Sequence, residues 1–158
     1  MTTLHETIQT QLPVDDTFAF IADFANSAAW DPGTLTSERI GDGPVGVGAA
    51  YALTVKMGGN AAPMTYTIET YELDRRVVLR GGGKNVTARD DIRFQADPTG
   101  TLVDYTADIQ LSGWMRLLQP FLGGSFRKLG DDARTGMTRA LQERAAARTD
   151  VPSRTDVP

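Results

Sequence analysis

Few residues in this chain could do chemistry. Asp90 is the best placed of them. In the run "ARDDIRFQA", Ile92 and Phe94 form the apolar parity of a strand, and Asp90 shares it, whereas Asp91, Arg93 and Gln95 do not. A carboxyl sent to an apolar face is costly unless it is paired or takes up a proton. That makes Asp90 a candidate ligand anchor or general acid/base; the alternative is that it lies at the strand's end in solvent, with a bulge breaking the parity. Tyr51, Tyr66 and Tyr105 fall on the apolar parity of their own strands. Each joins an aromatic body to a hydroxyl, which suits a pocket holding an apolar molecule by one polar end and equally suits a filled core. Asp90 and one of these tyrosines, with Tyr105 as the candidate, could pass a proton to and from a substrate.

Other chemistries lack their parts. The chain has no cysteine and one histidine, His5, on the polar parity of the first strand. Disulfides, thiolate metal sites and a histidine-based nucleophile site are excluded or unsupported, and no metal or cofactor is expected. The adjacent pairs Asp90-Asp91 and Asp131-Asp132 diverge on a strand or helix and do not chelate one ion. "GDGPVG" spells G-x-G-x-x-G, but Pro44 interrupts it and a strand follows where a dinucleotide site needs a helix. "RGGGKN" lacks phosphate-loop spacing and reads as a hairpin or bulge. "NVT" at Asn85 matches a glycosylation acceptor without a secretion signal to give it meaning.

These residues must be held by elements that the hydrophobic pattern delineates. Leu4, Ile8 and Leu12 alternate with polar residues, as in a half-buried strand. Pro13 suits a helix start, Asp15 and Asp16 suit the first turn, and Phe18, Ile21 and Ala22 give the buried face. Asn26 to Trp30 reads as a second short turn, stopped by "WDPG". Period-two runs follow at Tyr51–Met57, Met64–Glu69, Val77–Arg80, Ala88–Ala96 and Leu102–Leu111, parted by "KMGGNAAP", "ELDRR", "GGGKN" and "DPTG". Arg80 points outward on this parity. Short connections imply antiparallel neighbours. The longest element comes last, a helix from Gly113 to about Ala146. Its first half is nearly encircled by Trp114, Met115, Leu117, Leu118, Phe121 and Leu122 and interrupted by Pro120, Gly123 and Gly124. A sheet with one apolar face must be covered, and only this helix is long enough. The order strand, short helices, about six strands, long helix therefore predicts an α+β fold, with a strongly curved sheet wrapped around the C-terminal helix.

The chain has 158 residues, 41% hydrophobic and 23% charged, with a net charge of −4. That fits one domain, placed at residues 1–146, with a polar repeat "ARTDVPSRTDVP" ending the chain as a disordered tail, 147–158. An acidic balance with scattered Lys and Arg argues against nucleic acid. No run approaches the roughly 18 apolar residues of a membrane span, and the N-terminus does not read as a signal peptide, so a cytoplasmic protein is expected.

"LPVDDTFAFIADFANSAAWDP", "GPVGVGAAY", "IETYELDRRVVLRG" and "GTLVDYTADIQLSGWMRLLQPFL" together resemble the polyketide cyclase/dehydrase-like (SRPBCC) branch of the START/Bet v 1-like superfamily. The resemblance implies a helix-grip fold, with a seven-stranded antiparallel sheet, two short helices after the first strand and a cavity between sheet and helix. It implies an apolar ligand such as a lipid, polyketide or aromatic molecule. The cavity would be lined by Tyr51, Leu53 and Val55, by Tyr66 and Ile68, by Asp90 and Ile92, and by Tyr105. Trp30 would plug its mouth, and Trp114, Leu117, Leu118, Phe121 and Leu122 would wall it from the helix. A noncatalytic carrier, acting as a monomer or weak homodimer, is the first reading. A cyclase, aromatase or dehydrase using Asp90 and Tyr105 is the second, and an interaction protein using the cavity rim the third.

Overall fold

The computed structural model describes residues 1–57 and 59–149. Strand β1 (Thr2–Thr10) is followed by helix α1 (Val14–Ala22), a 3-10 turn (Phe24–Asn26) and the single-turn helix α2 (Ser27–Trp30). Six strands come next: β2 (Thr34–Ile40), β3 (Ala50–Met57), β4 (Asn60–Glu72), β5 (Arg76–Gly83), β6 (Val86–Asp97) and β7 (Gly100–Leu111). Two 3-10 turns (Gly113–Leu117 and Gln119–Phe121) lead into helix α3 (Gly123–Thr149). The strands form one antiparallel sheet in the order β1-β7-β6-β5-β4-β3-β2. This is the expected α+β helix-grip arrangement.

The connections follow their turn chemistry. Between β6 and β7, Asp97 Oδ1 accepts from Thr99 N–H and Gly100 N–H at 2.9 and 2.8 Å, and Gly100 takes a positive φ that other residues avoid. Lys84 and Asn85 alone join β5 to β6, with Asn85 left-handed. The hairpin is where the sequence predicts it, but Gly81–Gly83 belong to the strand and not to the turn. Register irregularities at Thr34/Thr36 and Ile68/Thr70 help bend the sheet. Strand β2, which period-two patterning did not single out, pairs with β3 from Thr34 to Ile40.

The concave face is divided between two fillings. Towards one end α1 lays Phe18 edge-on against Tyr71 and Phe94, at 5.2 and 5.1 Å between ring centres, over a solid core that includes Ile21, Ile68, Val77, Ile92 and Val103. Over the rest lies α3. Its later turns bury Met137, Ala140 and Leu141, and Arg144 stacks its guanidinium 3.7 Å from the Phe20 ring centre. Gly136 permits a close approach to α2, since a Cβ there would stand 2.2 Å from the Trp30 carbonyl oxygen.

The C-terminal helix differs from expectation at its start. Residues 114–121 are not α-helical. Leu118 N–H, Phe121 N–H and Leu122 N–H bond to carbonyls three residues back, at 3.0, 2.9 and 3.2 Å. Pro120 lacks an N–H and crowds the carbonyl four residues earlier, so the α-helix begins only at Gly123. At its other end α3 continues through Thr149, past the expected boundary at 146; residues 150–158 of the expected tail lie outside the described residues.

Candidate functional site

Between α3 and the concave face lies a cavity of about 490 Å³. Its walls are inward residues of five strands: Leu4 and Ile8 of β1, Leu53 and Val55 of β3, Met64 and Tyr66 of β4, Ala88 and Asp90 of β6, and Tyr105 and Ala107 of β7. Phe24 and Trp30 close it from the short helices, and Phe126, Leu129, Ala133 and Met137 from α3.

Asp90 lies at the centre of β6, between Leu79 of β5 and Ala107 of β7, and is 5% exposed. Alternation along the strand is unbroken, with Val86, Ala88, Asp90, Ile92 and Phe94 all buried. The carboxyl therefore points inward. Tyr105 is the diagonal neighbour on the same face of β7, and its hydroxyl donates to Asp90 Oδ2 at 2.8 Å. Asp90 Oδ1 receives no hydrogen bond from any described residue. Burial pushes the Asp90 carboxyl up to about 7; the Tyr105 hydrogen bond opposes this, and the charges of Asp31 and Asp108 add to it. Burial together with the carboxylate of Asp90 pushes the phenols of Tyr105 and Tyr66 well above the ordinary tyrosine value. Tyr66 owes its place to Gly81. The two are register partners, and a Cβ on residue 81 would meet the tyrosine ring at 2.6 Å, so the bare strand lets the ring lie across it.

Asp31 is a second carboxyl on the cavity wall, and sequence patterning does not single it out. It accepts from Gly33 N–H and the Thr34 hydroxyl, both at 2.9 Å. Its carboxyl is nonetheless raised by burial, against those hydrogen bonds. "WDPG" gives the signal of a turn, which it is; that α3 packs against the turn at Gly33 and Pro32 has no local signature. Trp30, 2% exposed, stands edge-on to Tyr105 at 5.9 Å and to Phe24 at 6.1 Å. Its indole N–H has no hydrogen-bond partner among the described residues. Charged residues gather at the rim, where Arg134 faces Glu6 at 3.4 Å and Lys128 faces Asp132 at 2.8 Å, with Lys56 alongside.

The residues singled out from sequence divide by position. Trp30, Leu53, Val55, Tyr66, Asp90, Tyr105 and Leu122 line the cavity. Tyr51, Ile68 and Ile92 do not; they are fully buried in the core beyond it. The Tyr51 phenol is pushed up to about 12, chiefly by burial, and its ring carries Arg39 at 5.6 Å. Trp114, Leu117, Leu118 and Phe121 face outward at 66%, 76%, 40% and 83% exposure, because the 3-10 path gives the segment a different set of inward positions. Of that segment only Met115 and Leu122 reach the cavity. Asp91 points the other way from Asp90, where Arg76 grips it with two hydrogen bonds at 2.9 and 2.8 Å and holds its carboxyl below the usual range. His5 is at the surface, paired with Asp104.

A curved antiparallel sheet gripping a C-terminal helix over a largely apolar cavity defines the helix-grip class of the START/Bet v 1-like superfamily. Within it, the chain belongs to the family described as polyketide cyclase / dehydrase and lipid transport, whose model matches residues 1–148. Among solved structures, the Zhui aromatase/cyclase of Streptomyces sp. R1128 is similar at a TM-score of 0.74 and 15% identity, covering 96% of this chain and 98% of that one. A protein of Thermus thermophilus gives 0.75 and 14%, covering 94% and 100%. A START superfamily protein of Mycobacterium smegmatis gives 0.67 and 15%, covering 92% and 98%. At these identities the likeness is one of fold. No curated protein gives a significant sequence match.

Proposed function

We propose that this protein binds an apolar small molecule (a lipid, polyketide or aromatic compound) in the cavity and holds its one polar end at Asp90 and Tyr105. The observation that carries the reading is a buried carboxyl with one oxygen unbonded among the described residues, in a largely apolar cavity. A carboxyl so placed costs several kcal/mol unless something completes its hydrogen bonding. A cavity of about 490 Å³ is within the range that small-molecule sites occupy. Apart from Asp90 and Asp31, the charged groups stand at the rim, so the body of the ligand meets mainly aliphatic and aromatic side chains.

Displacement of an environment-sensitive apolar dye, together with native mass spectrometry of the purified protein, tests this. Ala107→Phe projects a ring into the cavity beside Asp90. It should abolish dye binding while the far-ultraviolet circular dichroism stays unchanged. Undiminished binding in a folded Ala107→Phe protein would mean that the dye sits elsewhere and the cavity is not the site.

A second reading is favoured by one specific observation. A carboxyl near 7, hydrogen-bonded to a tyrosine inside an apolar cavity, is suited to taking and returning a proton at neutral pH. In that case the ligand is a carbonyl-bearing chain, and Asp90 and Tyr105 serve cyclisation or dehydration, as the family description and the similarity to an aromatase/cyclase allow. Turnover of a polyketide-like substrate that Asp90→Asn abolishes, with binding retained, would select this reading over a carrier.

A further inference from the structure

The outward half of the segment joining β7 to α3 is unlike the rest of the surface. Trp114, Leu117, Leu118 and Phe121 expose large apolar side chains within eight consecutive residues, whereas the other exposed large hydrophobics among the described residues, Met1, Leu35, Ile40, Val47 and Leu73, are spread along the chain. Contiguous exposure of this kind marks an interaction surface. Its charge says which kind. Between Asp108 and Asp131 the chain has no acidic residue and carries Arg116, Arg127 and Lys128, in a protein of net charge −4. Lys84 joins them, because Ser112 N–H bonds to the Asn85 carbonyl at 2.9 Å and so holds the β5–β6 turn against the segment. Lys84, Arg116 and Arg127 are exposed and have no ion-pair partner among the described residues.

We propose that the segment Gly113–Leu122, flanked by Lys84, Arg116 and Arg127, docks the protein on an anionic lipid surface. Tryptophan and phenylalanine enter the headgroup boundary while basic side chains meet anionic lipid; each element of the patch has its counterpart there. A second copy of the chain fits worse. A two-fold contact would set Arg116 and Arg127 against their own copies with no acid in the patch to answer them. The proposal is independent of what the cavity holds. It gives the segment two roles, since Met115 and Leu122 line the cavity from its inner side.

The protein carries its own reporter. Trp30 is 2% exposed and Trp114 is 66% exposed, so a change of tryptophan emission on adding vesicles belongs to Trp114. With vesicles of phosphatidylcholine and phosphatidylglycerol, the emission should shift to the blue and the protein should co-sediment. Affinity should exceed that for pure phosphatidylcholine by about tenfold or more at low salt and fall as salt is added. Leu117→Ser with Phe121→Ser should remove the shift in a protein of unchanged circular dichroism, and Arg116→Glu with Arg127→Glu should remove the preference for phosphatidylglycerol. The proposal is overturned by an unshifted Trp114 with both vesicle types, by equal binding to pure phosphatidylcholine, or by undiminished binding of the serine variant. It is equally overturned by a concentration-dependent dimer that Phe121→Ser dissolves, which would make the patch a contact between copies.

Discussion

Asp90 combines in one side chain what the sequence discloses and what it costs the fold. Its inward direction was legible as one of two readings, because strand parity offered it beside a strand-end position in solvent; in the structure β6 alternates without a bulge from Val86 to Phe94. Its partner was legible for the same reason, Tyr105 being on the inward parity of the next strand. The sign of its contribution to stability follows from its folded value. A carboxyl raised from about 4 to about 7 binds its proton more tightly in the native state than in the unfolded chain. The penalty is absent below about pH 4, grows as the pH rises towards 7, and is constant above it. Asp90→Asn keeps the size and an acceptor for Tyr105. It should therefore raise stability by about 1–3 kcal/mol at pH 8 and leave it nearly unchanged at pH 4, read from denaturant unfolding at both values. Destabilisation at pH 8 would mean that the charged form has a partner. Asp31 was not legible, because its burial comes from a helix about a hundred residues away in sequence and not from its own neighbours.

At the scale of elements, the segment before α3 shows where periodicity misleads. Its apolar residues recur closely enough for a helix, yet two 3-10 turns with Pro120 in the second set the backbone, and the backbone decides which residues face the cavity. What anchors the segment is polar. The Gln119 side chain accepts from Leu111 N–H at 3.2 Å and donates to the Ile109 carbonyl at 3.0 Å and the Thr2 hydroxyl at 3.1 Å, stitching the second 3-10 turn to the ends of β7 and β1. Nothing in the composition of "LLQPFL" announces such a clamp. Gln119→Ala leaves two backbone groups without that partner and should cost about 1–2 kcal/mol. Amide exchange should accelerate first in residues 111–122 and only later in the strands, and uniform protection across the variant would show that the clamp is dispensable. Strand β2 lacks a sequence signature for a different reason. It lies at the sheet's edge with Leu35 and Ile40 about half exposed, so neither of its faces carries a clean apolar parity.

On the scale of the whole molecule, the architecture was legible because each inference limited the next. Five well-patterned strands required antiparallel neighbours, an apolar face required a cover, and only one element was long enough to supply it. The division of the concave face was not legible. Solid core and cavity are lined by the same residue types on the same parities, and only the placement of α1 and α3 separates Ile68 and Ile92 from Leu53 and Ala88.

The pairing of β1 with β7, from Thr2 against Ile109 to Thr10 against Thr101, has a consequence for the birth of the protein. A ribosome making about 5–20 residues per second needs several seconds to go from the first of these strands to the last. Throughout that interval β1 lacks its sheet partner, since among the described residues β7 is its only neighbour in the sheet. The meander from β3 to β6 can form by local hairpins, but the β1–β7 contacts wait until β7 has been made. Nascent chains stalled after Asp97 should accordingly remain sensitive to limited proteolysis within β1 and α1. Chains released after α3 should become resistant, and protection of β1 in the stalled chains would point to an earlier, non-native partner.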